Sequence, residues 1–553
     1  MRRRLADSAR AFSATARNPN LLRAQLAFGA SWTAEWAFTV ALGVIAFRDG
    51  GATAVGVVAF ARMAPAFLLA PIGTTLADRF RRDRVLVWSG VVRAAATAAG
   101  ALLLASDGPN VAVYALAIVA TAAFMVFRPA HTALLPALSA TPLELTSASV
   151  VRGLVDSVST LLGPLLAALL LGVGSPAAVF ALTAALSLAS GALLLGLSYE
   201  APRRGAPQPL RRIVRETVDG FRALVRYPEA GLLFGIALGQ TLTRGFLNVF
   251  LVVLALDLLD IGDSGLGVLT AAVGAGAVVG SLGASMLVMG RRLAVVEGIG
   301  VALWGVPLVL AGVLPHEAVV LALMCAIGVG NALVDIGVFT LPSRFVPERL
   351  LARAFGAFES LVALTVAAGA LVTPLVIDLL GIRGALVALG LVAPALVALG
   401  WRRLRAIDAS MVHRDAEIHV LNRIGMFRPL PMPAIDSLAV HVGHANVAAG
   451  DEVFHQGDSG DRFYVIGDGE AEVIGDGRLI RTMGPGDAFG EIALLHDMPR
   501  TATVRARTPL TLYTLDRRHF VPAINGYGSS TREADTLVDE RLRTFRPAGR
   551  AAG

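Results

Sequence analysis

Gly73-Thr74-Thr75-Leu76-Ala77-Asp78-Arg79-Phe80-Arg81-Arg82-Asp83-Arg84 is a short charged turn set between two apolar runs, 52–76 and 85–105. A helix rises 1.5 Å per residue, so about 20 apolar residues cross the ~30 Å hydrocarbon layer. Both runs meet that length, which places the turn at a membrane face. Working outward, further runs of spanning length fall at 21–47, 111–127, 149–173, 177–197, 231–256, 265–289, 293–314, 318–339, 355–380 and 384–399, which makes twelve in all. A backbone in lipid must satisfy its own hydrogen bonds, so continuous runs of this kind predict helices rather than barrel strands.

Composition agrees. The 553 residues are 55% hydrophobic and 16% charged, with mean hydropathy +0.67, which excludes an ordinary water-soluble chain. All 48 basic residues are arginine, a compositional bias rather than a mechanism. The single cysteine, Cys325, rules out an intramolecular disulfide or a cysteine-based metal cluster, and no metal site is expected. Residues 1–20 are basic and polar and lack the apolar core of a cleaved signal.

The arginines orient the spans. Arg2, Arg3, Arg4, Arg10, Arg17, Arg79, Arg81, Arg82, Arg84, Arg128, the 203–226 cluster, Arg291, Arg292, Arg344, Arg349, Arg353, Arg402, Arg403 and Arg405 fall on one side, against Arg48 and Arg383 on the other. The positive-inside rule then puts both termini in the cytoplasm of a multi-pass plasma-membrane protein. Basic loops beside spans point to anionic lipid and away from nucleic acid. The longest loop, 198–229, divides the spans six and six. Its segment 210–227 carries Leu210, Ile213, Val214, Val218, Phe221, Leu224 and Val225 at helical spacing, which fits an amphipathic linker on the membrane surface or a docking surface for the acidic C-terminal region of this chain.

Six plus six spans, a basic central loop and cytoplasmic termini resemble the major facilitator superfamily. The 73–84 turn is similar to that family's G-x-L-A-D-R-x-G-R-R signature, with Thr74, Arg81 and Asp83 departing from it. The resemblance implies that Asp78, Arg79 and Arg82 hold two helix ends and exchange partners as the halves rock. Gly290-Arg291-Arg292 looks like the remnant of the same signature in the second half. Gly163-Pro164 resembles an element of proton-coupled exporters, with Ala167 and Ala168 replacing the usual glycines.

Ionisable groups inside spans are costly and normally face a cavity or a partner. Glu35, Arg62, Arg93 and Arg244 are the transport or coupling candidates. Glu35 with Arg62 suits either a coupling carboxylate and its counter-ion or a static ion pair between helices. Asp335, Glu359 and the i,i+4 pair Arg152 and Asp156 lie nearer the span ends and read as structural.

The apolar pattern stops after Arg405. Residues 420–545 hold 13 arginines against 17 carboxylates, and short alternating segments such as 462–466, 471–474, 502–506 and 510–514 are punctuated by glycines. This predicts a small antiparallel jelly roll, followed by helices at 517–524 and 531–545. The expected division is 1–405 for the membrane domain, 406–420 for a linker, 421–545 for the soluble domain and 546–553 for a tail. The fold class is an all-α membrane protein in two six-helix halves plus a cytoplasmic β jelly roll with flanking helices.

Within the soluble region, Phe489-Gly490-Glu491-Ile492-Ala493-Leu494-Leu495-His496-Asp497-Met498-Pro499-Arg500-Thr501-Ala502-Thr503-Val504 closely resembles the phosphate-binding cassette of cyclic-nucleotide-binding domains. A glycine admits close backbone approach, and a guanidinium fork suits phosphate oxygens. The resemblance implies that Gly490, Glu491, Ile492, Ala493, Arg500 and Thr501 bind cAMP or cGMP, with Glu491 taking the ribose 2′-hydroxyl. It also implies a lid from the last helix, with Leu537 and Leu542 over the base.

The reading is a secondary transporter, a proton-coupled exporter of small organic solutes regulated by cAMP or cGMP, with no other cofactor. A non-transporting membrane-anchored nucleotide sensor is the alternative. A nucleotide-gated channel fits less well, since no span has arginine at every third position and no Thr-Val-Gly-Tyr-Gly filter occurs. Enzyme motifs are missing: there is no nucleotide-triphosphate loop, zinc-type His pair or nucleophile elbow. Oligomeric state and substrate identity leave no trace in the residues.

Overall fold

The computed structural model describes residues 18–545 apart from 80, 140–141, 198–217, 223, 288–291, 347, 431 and 527. Two compact units, Met1–Ile407 and Asp408–Gly553, divide the chain.

The first unit is helical: α1 (Pro19–Arg79), α2 (Arg82–Ala105), α3 (Asn110–Leu138), α4 (Pro142–Val173), α5 (Pro176–Leu194), α6 (Pro228–Val253), α7 (Gly262–Leu287), α8 (Leu293–Val313), α9 (Glu317–Thr340), α10 (Glu348–Gly390) and α11 (Val392–Arg423). Among the described residues, ten helices are long and apolar enough to cross a membrane. The twelve expected runs map onto ten because two of the turns shrink to glycines. Gly50 and Gly51 break α1, and Gly381 breaks α10, with φ of +61° at Gly51 and +70° at Gly381. Glycine enters that left-handed region without strain, so the chain redirects within one or two residues and no loop is needed.

Helices α1–α5 pack on one another, as do α6–α10, and the two sets meet where α4 crosses α7 and α1 crosses α10. Small residues allow these crossings. A Cβ on Gly267 would stand 2.7 Å from the Pro164 carbonyl, and one on Gly56 2.5 Å from the Ala370 carbonyl. Pro164 sits inside α4, which runs unbroken through it. Gly163 meets α1 just as tightly, 2.6 Å from the Thr33 carbonyl by the same measure. The Gly-Pro element is therefore a packing junction in this conformation, since no break accompanies it. Large apolar side chains such as Leu399 (84% exposed) and Leu379 (81%) cover the outside, a surface that lipid satisfies and water does not.

Residues 406–420, read as a linker, are helical within α11. From Trp401 to Ile424 the chain has neither glycine nor proline, so nothing ends the helix when its composition turns polar. The amphipathic stretch 210–217 and the side chains of Asp78 and Arg79 lie outside the described ones. Arg82 is described, and its Nη1 donates to the Ala133 carbonyl at 2.6 Å, tying the start of α2 to α3.

The second unit holds eight strands: β1 (Gly443–Val447), β2 (Glu452–Phe454), β3 (Arg462–Asp468), β4 (Ala471–Gly475), β5 (Arg478–Met483), β6 (Ala488–Phe489), β7 (Thr503–Ala506) and β8 (Leu510–Asp516). They form two antiparallel sheets in the orders β1-β8-β3-β6 and β2-β7-β4-β5. Helices α12 (Met432–Ala439), α13 (Glu491–Leu495), α14 (Arg517–Asn525) and α15 (Gly528–Phe545) accompany them. Strand β3 is buried on both faces, and the period of two sorts its side chains. Tyr464 and Ile466 enter the core between the sheets, whereas Phe463 and Val465 enter a helical core with Phe427 and Phe520. Phe463 stacks on Phe520 at 4.6 Å.

Close helix crossings make a testable demand. A Cβ on Gly276 would collide with the Cys325 carbonyl, whereas Gly283 has open space. Gly276→Val is expected to lower the thermal unfolding midpoint of the detergent-solubilised chain and Gly283→Ala to leave it unchanged. Equal midpoints for parent and Gly276→Val would contradict this crossing.

Candidate functional site

In the second unit, β6 delivers the chain to Gly490, whose φ of +88° turns it into α13. A Cβ there would stand 2.6 Å from Arg500 Nη1, so side chains are excluded on both counts. Arg500, 3% exposed, arrives from the segment before β7. Its Nη1 donates to the Gly490 carbonyl at 2.9 Å and its Nη2 to the Arg462 carbonyl at 2.8 Å. The guanidinium lies 4.1 Å over the Phe454 ring, a cation–π contact that holds it flat. Its Nε has no partner. Burial draws this guanidinium below the ordinary arginine range, opposed by Tyr464, Asp461, Glu491 and Asp458.

Glu491 is 1% exposed. Arg541 of α15 donates to its Oε1 at 2.5 Å, while Oε2 is buried without a partner. Gly490, Glu491, Ile492, Ala493, Arg500 and Thr501 all line one cleft with about 550 Å³ of empty space. All six residues named from the cassette pattern thus converge.

Sequence reasoning missed the lining residues outside the cassette, among them Phe454, Arg481 and Arg541. It had put Leu537 over the cleft. That leucine instead packs against the helical core of Phe427 and Phe520, and the next turn of α15 presents Arg541 to the cleft. Leu542's side chain lies outside the described ones. Burial, followed by the like charge of Arg541, draws Arg481 below its ordinary range. Three arginines, Arg481, Arg500 and Arg541, thus line the cleft beside the carboxylate of Glu491.

In the first unit the four transport candidates separate. Glu35, Arg62 and Arg93 form one buried group. Arg62 Nη2 donates to Glu35 Oε1 at 2.8 Å, and Arg93 Nη2 to Oε2 at 2.9 Å. Arg62 Nε reaches Thr121 at 2.9 Å, and Arg93 Nη1 reaches the Ser31 carbonyl at 3.1 Å. Thus one carboxylate joins the two spans of α1 to α2, and Arg62 carries the tie on to α3. Arg244 is elsewhere. It interacts electrostatically with Asp335, Asp156, Glu359 and Arg128, residues read from sequence as structural or as loop anchors.

A model of the Major Facilitator Superfamily matches residues 25–370. The chain belongs to the Major Facilitator Superfamily. A second model, for a cyclic nucleotide-binding domain, matches residues 445–527 of this superfamily member. An uncharacterized protein of Mycobacterium tuberculosis is 39% identical over 136 residues, 25% of each chain. The cAMP-dependent protein kinase regulatory subunit of Schizosaccharomyces pombe is 51% identical over 73 residues, 13% of this chain and 18% of that one. That of Yarrowia lipolytica is 39% identical over 95 residues, 17% and 25% of the two chains. These matches span no more than a quarter of the relatives' own length. Among solved structures, the regulatory domain of Toxoplasma gondii PKA with cAMP shares 27% identity, covering 24% of this chain and 50% of that one at a TM-score of 0.21.

For this facilitator the Glu35 group has a structural consequence. Removing one partner of a buried ion network leaves uncompensated charge, at a cost of about 3–5 kcal/mol. Glu35→Gln is expected to lower the unfolding midpoint, and adding Arg93→Met should restore part of the loss. A Glu35→Gln midpoint equal to the parent's would show that the arginines find other partners.

Proposed function

We propose that the chain is a secondary active transporter of small organic solutes, proton-coupled and exporting, whose activity a cytoplasmic cyclic purine nucleotide regulates. It works as a plasma-membrane protein with both termini inside and catalyses no covalent reaction. The supporting observation is the convergence in one cleft of Arg500, with an unengaged Nε–H, and Glu491, with an unengaged Oε2. An anionic phosphodiester and a neighbouring hydroxyl need those two complements at such short range.

The lid contact supplies a route for regulation. Arg541 holds Glu491 from α15, so a nucleotide that takes up Glu491 competes for the carboxylate that positions this helix. Ligand then biases the transporter to the extent that its affinity differs between conformations. The base preference follows from Arg481 on β5. Guanine presents two acceptors, O6 and N7, to an arginine, whereas adenine sets an amino donor beside N7. The arginine therefore favours cGMP over cAMP, and the hydroxyl of Thr501 suits the same preference.

Coupling and direction rest on the membrane half. Each Glu35 oxygen already carries a guanidinium, so a proton reaching it must displace one arginine. That step would loosen the two spans of α1 from each other or α1 from α2. Export is proposed from the Gly163-Pro164 element.

Full-length protein is expected to bind cGMP, and cAMP more weakly. Arg500→Ala should weaken binding roughly a hundredfold, the order for losing two charge-assisted hydrogen bonds. Calorimetry that found equal affinities would remove the cassette assignment, and an unchanged cGMP/cAMP ratio in Arg481→Ala would remove the base reading. In proteoliposomes, nucleotide should change the rate of solute flux and an ionophore that collapses the proton gradient should stop it. Flux indifferent to saturating nucleotide would discard regulation, and flux indifferent to the ionophore would discard proton coupling.

A further inference from the structure

Arg128 and Asp156 in α3 and α4 and Arg244, Asp335 and Glu359 in α6, α9 and α10 interact electrostatically with one another. These interactions bring five side chains on five helices toward one region of the bundle. Arg128, Asp335 and Glu359 are nevertheless exposed, so that space is open. No ion pair closes among these five, all of them described residues. Charged groups left unpaired inside membrane-spanning helices are a functional feature by default.

The two walls of the space differ in sign. On the α1–α5 side, Arg128 and Arg152 face Asp156, an excess of one positive charge. On the α6–α10 side, Asp335 and Glu359 face Arg244, an excess of one negative charge. The cations of the first wall are propped on aromatic rings, Arg128 at 5.7 Å over Trp32 and Arg152 at 5.7 Å over Phe28.

The other end of the bundle is shut. There Arg48 of α1 pairs with Asp263 of α7, joining the two helix sets. One buried cluster runs through both sets beside that pair, including Ala41, Phe180, Phe250 and Leu308. Among the described residues, the cluster around Phe28, Phe127 and Leu134 at the charged end draws on the α1–α5 set. The charged walls therefore stand apart at the open end of a bundle sealed at its opposite end.

We propose that this space is the solute site and that it takes a zwitterion, a small molecule carrying both a carboxylate and an ammonium group. The carboxylate pairs with the positive wall and the ammonium with the negative wall, so a single dipolar solute satisfies both excesses and draws the two helix sets together. A solute of one charge would satisfy one wall and leave the other uncompensated. This inference deepens the transporter reading and rests on it.

The test uses full-length protein in detergent and a size-matched set of probes: 4-aminobutyrate, butyrate and n-butylamine, with α-amino acids alongside. A ligand that binds the folded state raises the unfolding midpoint. At least one zwitterion is expected to raise it at concentrations about tenfold or more below its single-charge analogues. Asp335→Asn neutralises the negative wall, so the carboxylate alone should then match the zwitterion. Arg128→Gln neutralises the other wall, so the amine alone should match it. A merely structural role for these residues would leave the ratios unmoved. Equal response to the single-charge analogues in the parent, no response to any zwitterion, or unchanged ratios in both variants would overturn the proposal. Counterflow in proteoliposomes separates this from the transporter reading: a zwitterion that binds without crossing sinks transport and keeps the site, whereas flux confined to single-charge solutes does the reverse.

Discussion

A guanidinium keeps its charge at every physiological pH, so an arginine taken out of water must find acceptors, an aromatic face or a counter-ion. Both units of this chain are organised by that requirement. Arg62 and Arg93 are 5% and 1% exposed and share the one carboxylate of Glu35, which fastens three helices together. Arg500 meets two backbone carbonyls and the Phe454 ring, which fastens the start of α13 to β3. In each case the arginine is anchored by part of its donor set. The anchoring shapes the local backbone, and the donor that remains gives the site its chemistry.

Much of this was legible in the sequence. Lipid imposes length and continuity on spans, and those are linear properties, so the apolar runs could be read directly. The turns between some of them could not. Gly50–Gly51 and Gly381 redirect the chain without any polar interval, and at 406–420 a change in composition carries no helix stop. The cassette was equally legible, because Gly490, Glu491 and Arg500 lie within eleven positions of one another in the chain. Arg541, fifty residues beyond Glu491, joins them only through the fold. Its one signal was a charge on the lid helix one turn past Leu537. The sequence favoured the leucine because a base needs an apolar cover, yet the helical core claims that leucine first.

The intramembrane charges were the least legible. Depth along a helix can be counted from sequence, but which charges share a space depends on rotation of each helix about its axis. Glu35 and Arg62 could be paired because spans one and two are neighbours in the chain, whereas Arg93 was named without a partner. Arg244, named only as a further candidate, interacts with Asp335 and Glu359 of its own helix set and with Asp156 across the boundary between the sets. Residues near span ends read as anchors when spans are drawn side by side. Packed around an axis, the same residues face one another.

A regulatory link between the units is bounded by the energy of the interaction that would carry it. To move a two-state equilibrium from 1:99 to 99:1, a nucleotide must prefer one state by about ten-thousandfold. The Arg541–Glu491 pair is buried on the glutamate side and mostly buried on the arginine side, with 1% and 16% side-chain exposure. Exchanging such a pair for a ligand contact is worth a few kcal/mol at most, since the carboxylate keeps a partner in both states. Under the proposed regulation, the nucleotide would tune a transporter whose two conformations lie close in free energy and would not by itself hold one shut. Near-balance is what the membrane half offers. Its closed end is sealed by one exposed ion pair and an apolar core, and its open end has complementary charges held apart. Charge pairing at the end that closes can offset the apolar burial given up at the end that opens, so a modest bias from the soluble unit is sufficient to matter.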